Sequence, residues 1–122
     1  MGATVRPNTR NLLATIDSMD VDTLAPLFAE DGYVVFGNGQ PLVGIDEIRT
    51  GIIAFFDTIA GLYHEVVNEW NVDDDAIVEM KVSFDRKDGQ QVAIPSVAIF
   101  HTDAAGKIGA FRVYQDAAPV YA

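Results

Sequence analysis

The residues best suited to proton transfer lie in the segment 61-GLYHEVVNEWNV-72. Its residue types alternate with a period of two, which predicts a β-strand. The odd positions include two glutamates, and because an unpaired carboxylate is not buried, the even positions are predicted to face the interior. His64 would then lie on a pocket wall, where a histidine can act as general acid or base near neutral pH. The alternative for His64 is a purely structural role, hydrogen-bonded within the wall of the core.

Two polar residues are candidates to support His64. Asn68 lies four residues further along the same predicted face and could hold a substrate oxygen or a water. Glu79, in the next predicted strand, could orient the imidazole as the carboxylate of a catalytic triad does. The direction of Glu79 stays open, because the even positions of 76–87 are apolar and by periodicity face inward, which would place Glu79 and Lys81 outside.

The same alternation selects further side chains for the pocket. The even positions of 90–102 and the odd positions of 107–116 are predicted to face inward. Such side chains would supply shape, apolar surface and hydrogen bonds to a ligand. The predicted substrate-binding residues are Phe36, Asn68, Trp70, Phe100, Phe111, Val113 and Gln115.

The elements that must position these residues divide the chain into a helical part and a strand-rich part. Helices are predicted at 8–18, at 20–31 with its end at Gly32, and at 45–61, with a short strand at 33–36. Long strands are predicted at 62–72, 76–87, 90–102 and 107–116. This order predicts one α+β domain over residues 1–122, with three N-terminal helices packed on a curved, mostly antiparallel sheet. The open end of such a cone is a natural ligand cavity.

The composition narrows the classes of partner. The chain has 18 acidic and 8 basic residues, and its formal net charge of −10 disfavours nucleic acid and anionic membranes. It has no cysteine, no apolar run of membrane-spanning length and no apolar N-terminal segment typical of a signal peptide, so we expect a cytoplasmic protein. The two histidines lack the spacing of metal ligands, and no metal is predicted.

The opposite faces of the last two strands are apolar as well. They carry Pro95, Val97, Ile99, Ile108 and Tyr114. A sheet that is apolar on both faces needs cover on both faces, and a second subunit is the simplest cover for the outer one. We therefore expect a homodimer through the outer sheet face, with His101, Arg112 and Tyr114 as interface residues.

Five segments, taken in order, resemble the SnoaL-like proteins of the nuclear-transport-factor-2-like superfamily. They are DVDTLAPLFAEDG (20–32), PLVGIDEI (41–48), LYHEVVN (62–68), DDDA (73–76) and GKIGAFRVYQD (106–116). The resemblance implies a cone-shaped α+β barrel, usually dimeric, with a pocket between the sheet and the helices. It also implies acid–base chemistry without a cofactor, as in steroid isomerases, dehydratases, epoxide hydrolases and polyketide cyclases, although other members only bind ligands or partners.

The catalytic residues of ketosteroid isomerases have no counterparts here. In that family, aspartates occupy the positions that correspond to Phe36 and Ala98 here, and a tyrosine occupies the position that falls near Leu12. The resemblance therefore does not extend to steroid isomerisation by that mechanism.

Two other families match in part. Limonene epoxide hydrolases have their base at the position of Val113, and their Arg-x-Asp pair aligns with Glu79-x-Lys81, which would turn Glu79 toward the pocket. The pocket histidine of scytalone dehydratase is similar to His64, whereas its helix-one aspartate falls near Ala14.

The sequence thus predicts a protein with a pocket for a hydrophobic, oxygenated small molecule, such as a polyketide- or terpenoid-like compound. The leading hypothesis is a cofactor-free enzyme of the isomerase, cyclase, dehydratase or hydrolase type, with His64 and Glu79 as catalytic residues. The alternative is a non-catalytic ligand-binding or accessory protein of the same fold.

Overall fold

The computed structural model describes residues 5–122 as a curved sheet covered on its concave face by helices. The helices are α1 (Pro7–Asp17), α2 (Val21–Leu24), α3 (Gly44–Phe56) and α4 (Ala118–Tyr121), with a 3₁₀ turn at Ala25–Leu27. The strands are β1 (Phe28–Phe36), β2 (Leu42–Val43), β3 (Gly61–Val72), β4 (Asp75–Asp85), β5 (Gln91–Thr102) and β6 (Ile108–Tyr114). Their order is β2-β1-β6-β5-β4-β3; the pair β1–β6 is parallel, the others are antiparallel, and the sheet is not closed. The predicted α+β cone is confirmed.

The second predicted helix is the main error in the predicted elements. Asp20 caps α2 by accepting a hydrogen bond from the Asp22 backbone, but the helix gives way to the 3₁₀ turn at Pro26, which cannot donate a backbone hydrogen bond. Strand β1 then begins at Phe28, earlier than predicted. Gly32 therefore lies inside this strand rather than at a helix end. A glycine fits this position because a Cβ there would meet the Ile108 carbonyl oxygen at 3.0 Å.

The core lies between the concave sheet face and helices α1 and α3. Its completely or almost completely buried side chains are Leu12, Leu24, Val34, Ile48, Val78 and Val82. Strand β4 shows the pattern most clearly: its even positions are buried and its odd positions are not. Glu79 and Lys81 therefore lie on the outer sheet face, as periodicity indicated.

Edge strand β3 changes its orientation halfway along. Val66 pairs with Met80 on β4 and Asn68 pairs with the next residue, Glu79, so Val67 is an extra residue in a β-bulge. Before the bulge the even positions face the helices; beyond it, the odd positions do. The prediction that Asn68 and Trp70 face the interior is therefore wrong, because a bulge reverses the alternation of every later side chain.

The same reversal turns Glu69 toward the first turn of α1. Its carboxylate accepts hydrogen bonds from the Arg6 backbone nitrogen at 3.2 Å and from Thr9 Oγ1 at 2.9 Å. Arg6 is the N-cap of α1 and has no side-chain cap of its own. A carboxylate at the positive end of the helix dipole is stabilising, so β3 supplies the charge that the helix sequence lacks.

Removal of the Glu69 carboxylate should destabilise the protein. Thr9 is 0% exposed, and in Glu69→Ala its hydroxyl loses its acceptor, so we expect the free energy of unfolding to fall by about 1–3 kcal/mol. Urea unfolding followed by circular dichroism measures this difference. Glu65→Ala, in the exposed part of the same strand, is the control and should change stability by less than about 0.5 kcal/mol. Equal effects of the two substitutions would contradict the role of Glu69.

Candidate functional site

The only ion pair that joins β3 to a helix, among residues 5–122, is formed by His64 and Asp17. His64 Nδ1 lies 2.6 Å from Asp17 Oδ1, and the His64 backbone nitrogen donates to Asp17 Oδ2 at 3.1 Å. Both side chains are largely buried, at 11% exposed for His64 and 17% for Asp17. One carboxylate thus fixes both the ring and the backbone of the same histidine.

The helix places Asp17 where its charge is unfavourable. Asp17 is the last residue of α1, and an acid at the negative end of a helix dipole costs roughly 0.3–1 kcal/mol. The two hydrogen bonds from His64 offset that cost.

The hydrogen bond determines which nitrogen of His64 is available. When the ring is neutral, donation from Nδ1 to Asp17 leaves the lone pair on Nε2. Within the described chain, Nε2 makes no hydrogen bond and is not enclosed. It is therefore the atom of this pair that can exchange a proton with a bound molecule.

His64 opens onto a groove between α1 and edge strand β3. The groove has a free volume of about 280 Å³. It is lined by Val5, Arg10, Leu13, Ala14, Asp17, Tyr63, His64, Glu65 and Val66. Its lining includes both charged and apolar side chains, so it can accept an amphipathic small molecule.

A second cavity lies inside the cone and is separated from the groove by α1. Its free volume is about 30 Å³, room for a few water molecules at most. It is lined by Ile16, Leu24, Phe28, Val34, Phe36, Ile52, Phe55, Phe56 and Phe111. This cavity is apolar throughout and contains no group that can transfer a proton.

The structure does not bring the predicted site residues together. Phe36 and Phe111 line the inner cavity, and Val113 is buried in the core. Phe100 lines hollows at the other end of α1, and Gln115 lies half-buried beyond the end of β6. Their roles as substrate-binding residues stay predictions.

Three residues predicted for the pocket lie on the outer sheet face instead. Asn68 Nδ2 donates to Glu79 Oε1 at 3.0 Å, and Trp70 is 51% exposed beside them. The sheet separates Glu79 from the imidazole of His64, so the predicted catalytic pairing of these two residues is wrong. Asp17 occupies the position that Glu79 was expected to fill.

Sequence reasoning missed Asp17, although a weak signal was present. Asp17 lies four residues after Leu13, on the stripe of α1 that packs against β3. An acid that continues an apolar stripe by helical spacing is a buried acid in need of a partner. The partner belongs to a strand 47 residues away, and no local pattern identifies it.

The outer sheet face carries a row of four apolar side chains interrupted by one arginine. In register across the strands lie Trp70, Ile77, Ile99, Arg112 and Val35. Arg112 Nε is enclosed and has no hydrogen-bond partner among residues 5–122. His101 also lies on this face and pairs with Asp75 at 2.7 Å, but both are about half exposed.

The described residues contain neither a metal-binding cluster nor a membrane-spanning helix. No group of three or more histidine, aspartate and glutamate side chains is arranged to hold a metal ion there. No helix of that part of the chain is long and apolar enough to cross a membrane. The cofactor-free reaction and the cytoplasmic location stay predictions.

The fold and the sequence agree on the family. The family model of the SnoaL-like domain matches residues 9–110, and the chain therefore belongs to the SnoaL-like domain family. A search of curated proteins found no match.

Solved structures of similar fold cover nearly the whole chain. A hypothetical protein of Catenulispora acidiphila DSM 44928 with a ketosteroid isomerase-like fold, in complex with trimethylamine, has a TM-score of 0.82 at 18% identity, over 91% of this chain and 86% of its own. A candidate SnoaL-like polyketide cyclase of Jannaschia sp. CCS1 has a TM-score of 0.77 at 19% identity, over 98% of this chain and 95% of its own. SalBIII is an epoxide hydrolase/cyclase-like enzyme with a role in pyran ring formation in the polyether salinomycin. It has a TM-score of 0.78 at 16% identity, over 89% of this chain and 88% of its own. At these identities the likeness is one of fold.

The hydrogen bond to Asp17 should fix the tautomer of His64. We expect neutral His64 to carry its proton on Nδ1, and Asp17→Ala to shift that proton toward Nε2, because the acceptor that selects Nδ1–H is lost. Nitrogen-15 chemical shifts of the imidazole measure the two tautomers.

Asp57→Ala provides the control for this experiment. Asp57 is an exposed acid at the C-cap of α3, so its loss removes the same charge at the same kind of helix end. The tautomer of His64 should not change in this variant. Protonation on Nε2 in the unsubstituted protein would contradict the assignment.

Proposed function

We propose that this protein is a cofactor-free acid–base enzyme acting on a small, hydrophobic, oxygenated molecule. The observation that supports the proposal is the 2.6 Å contact between His64 Nδ1 and Asp17 in the wall of an open groove. A carboxylate on one ring nitrogen with the other nitrogen facing a ligand is the arrangement of a histidine general base. The reaction is of the isomerase, cyclase, dehydratase or hydrolase type.

The proposed reaction moves one proton out and back. His64 Nε2 accepts a proton from an acidic C–H or O–H of the substrate or, in a hydrolysis, from the attacking water, and Asp17 stabilises the resulting imidazolium through Nδ1–H. The substrate anion then rearranges, closes a ring or loses an oxygen leaving group. Nε2–H returns the proton to the product or to the leaving oxygen, so no redox partner is required.

The fold relatives support the proposed substrate class. The Jannaschia protein is a candidate polyketide cyclase, and SalBIII has a role in forming a pyran ring of a polyether. Both descriptions concern oxygen-rich, largely hydrophobic carbon skeletons. A polyketide- or terpenoid-like compound also suits a groove with apolar floor and charged ends.

A non-catalytic ligand-binding protein of the same fold is the second candidate. The observation that favours it is the groove itself, whose apolar floor can hold a ligand by contact alone. The inner cavity, at about 30 Å³, is too small for such a ligand. The two candidates differ in whether His64 is needed for turnover or the groove serves for binding alone.

Substitution of His64 should distinguish them. With polyketide-like ketones, lactones and epoxides as substrates, we expect His64→Gln to lower kcat/KM by about 10²- to 10⁴-fold, the usual contribution of a general acid–base group. Substrate consumption and proton exchange at acidic C–H positions in D₂O are the measurements. Turnover that survives His64→Gln at the original rate would contradict the proposal.

His101→Gln is the matched control. His101 is the other histidine of the chain and also pairs with an aspartate, Asp75, but it lies on the outer sheet face. Its substitution should leave kcat/KM within about twofold, because the sheet separates His101 from the groove. Equal losses in the two variants would point to a general effect on folding.

We also propose that two copies associate through their outer sheet faces. The face combines the apolar side chains described above with two cations, Lys81 in register with Glu65 and Arg112 in register with Ile99. Elsewhere the net charge of −10 would keep acidic copies apart. A two-fold axis can place Arg112 of one copy beside an acid of the other.

A charge in the apolar row should prevent this association. We expect a mass of twice 13.2 kDa in sedimentation equilibrium for the unsubstituted chain and of 13.2 kDa for Trp70→Glu. Ile53→Glu places the same charge on an exposed position of α3, 41% exposed, and should leave the dimer intact. A monomeric unsubstituted chain at about 100 μM, far above the Kd of a stable interface, would overturn the proposal.

A further inference from the structure

The groove beside His64 contains a cation that the proposed proton transfer does not use. Arg10 lies seven residues before Asp17 on α1, two helical turns away on the same face of the helix. Both residues line the groove. Along the helix axis they are about 10 Å apart, at 1.5 Å per residue.

Arg10 is available for a ligand within the described part of the chain. Its side chain is exposed and makes no hydrogen bond or ion pair with any of residues 5–122, and its backbone nitrogen donates to the Arg6 carbonyl at the start of α1. Arg49 and Arg86, by contrast, are held by Asp22 and Asp88. The guanidinium of Arg10 can therefore turn into the groove without breaking an existing contact.

The floor between Arg10 and His64 is apolar and low. Leu13 is buried beneath it, and Ala14 leaves space because its side chain is a single methyl group. Val66 forms the wall on the β3 side. The groove thus presents a cation at one end, an apolar stretch in the middle and the His64–Asp17 pair at the other end.

We propose that the ligand of this groove is a hydrophobic monocarboxylic acid. Its carboxylate binds the Arg10 guanidinium, its carbon chain or ring lies over Leu13 and Ala14, and its reacting group meets His64 Nε2. A planar carboxylate matches the two parallel donors of arginine. A phosphate dianion fits less well, because among residues 5–122 Arg10 is the one arginine or lysine that lines the groove, in a chain with a net charge of −10.

The part of this inference that concerns reaction at His64 depends on the proposed function, whereas the part that concerns binding does not. Binding is therefore tested first, without turnover. The probes are 4-phenylbutanoate and its neutral analogue 4-phenylbutanamide, which share the phenylpropyl group and differ in a charged or neutral headgroup. Their dissociation constants and their binding location are measured by NMR titration of backbone amides and of the His64 ring.

We expect the acid to shift signals of α1 and of residues 63–66, and to bind about three- to tenfold more tightly than the amide, as suits one partly exposed ion pair. Added salt should weaken the binding of the acid and leave the binding of the amide unchanged. Arg10→Gln should abolish the difference between the two probes. Lys87→Gln removes the same charge from a turn outside the groove and should preserve it.

A second variant tests the location independently of charge. Ala14→Leu fills the floor of the groove and should weaken both probes, whereas Ala54→Leu, on an exposed position of α3, should affect neither. The inference is overturned if the acid fails to bind the groove, or if the acid retains its advantage in Arg10→Gln.

The two proposals fail in different experiments. Acid binding at the groove together with activity that does not need His64 would leave the ligand class standing and remove the proposed reaction. Loss of activity in His64→Gln together with equal binding of acid and amide would do the reverse.

Discussion

The placement of helix α1 against edge strand β3 depends on one extra residue, Val67. The bulge at this position turns Glu69 toward the N-terminal end of the helix, while His64, before the bulge, meets Asp17 at its C-terminal end. The spans agree, since five strand residues cover about 16 Å and eight to eleven helical residues cover about 12–16 Å. Two carboxylate contacts thus fix the helix along its axis, and the groove between helix and strand inherits its width from them.

Periodicity predicted most of this fold because most of its strands are regular. The even positions of β4 are buried as expected, and the order of the helices and long strands follows from their apolar patterns. The errors have local physical causes. Pro26 breaks the second helix, and the bulge reverses β3 after Val66, which moved Asn68 and Trp70 to the other face. A bulge leaves no mark in an alternating sequence, because residues on both sides of it still alternate.

Only one residue of the His64–Asp17 pair could be predicted from the sequence. His64 was identifiable from its strand, because it is a titratable group on an inward-facing position. Its partner was not, because the pairing of Asp17 with His64 joins residues 47 apart and depends on the axial position of α1. Glu79 was a reasonable choice by proximity in sequence, yet adjacent strands place neighbouring acids on either face. Tertiary contact, rather than local pattern, decides which carboxylate orients a histidine.

The bond from the His64 backbone to Asp17 has a consequence outside chemistry. Strand β3 is an edge of the sheet, and its unpaired backbone donors form a template on which another strand can add. Asp17 Oδ2 accepts a hydrogen bond from one of these donors, the His64 backbone nitrogen, and places a negative charge beside the strand edge. The carboxylate that orients the imidazole therefore also prevents another strand from adding to this edge. Loss of Asp17 would favour aggregation through β3 and would also leave the imidazole without its orienting contact.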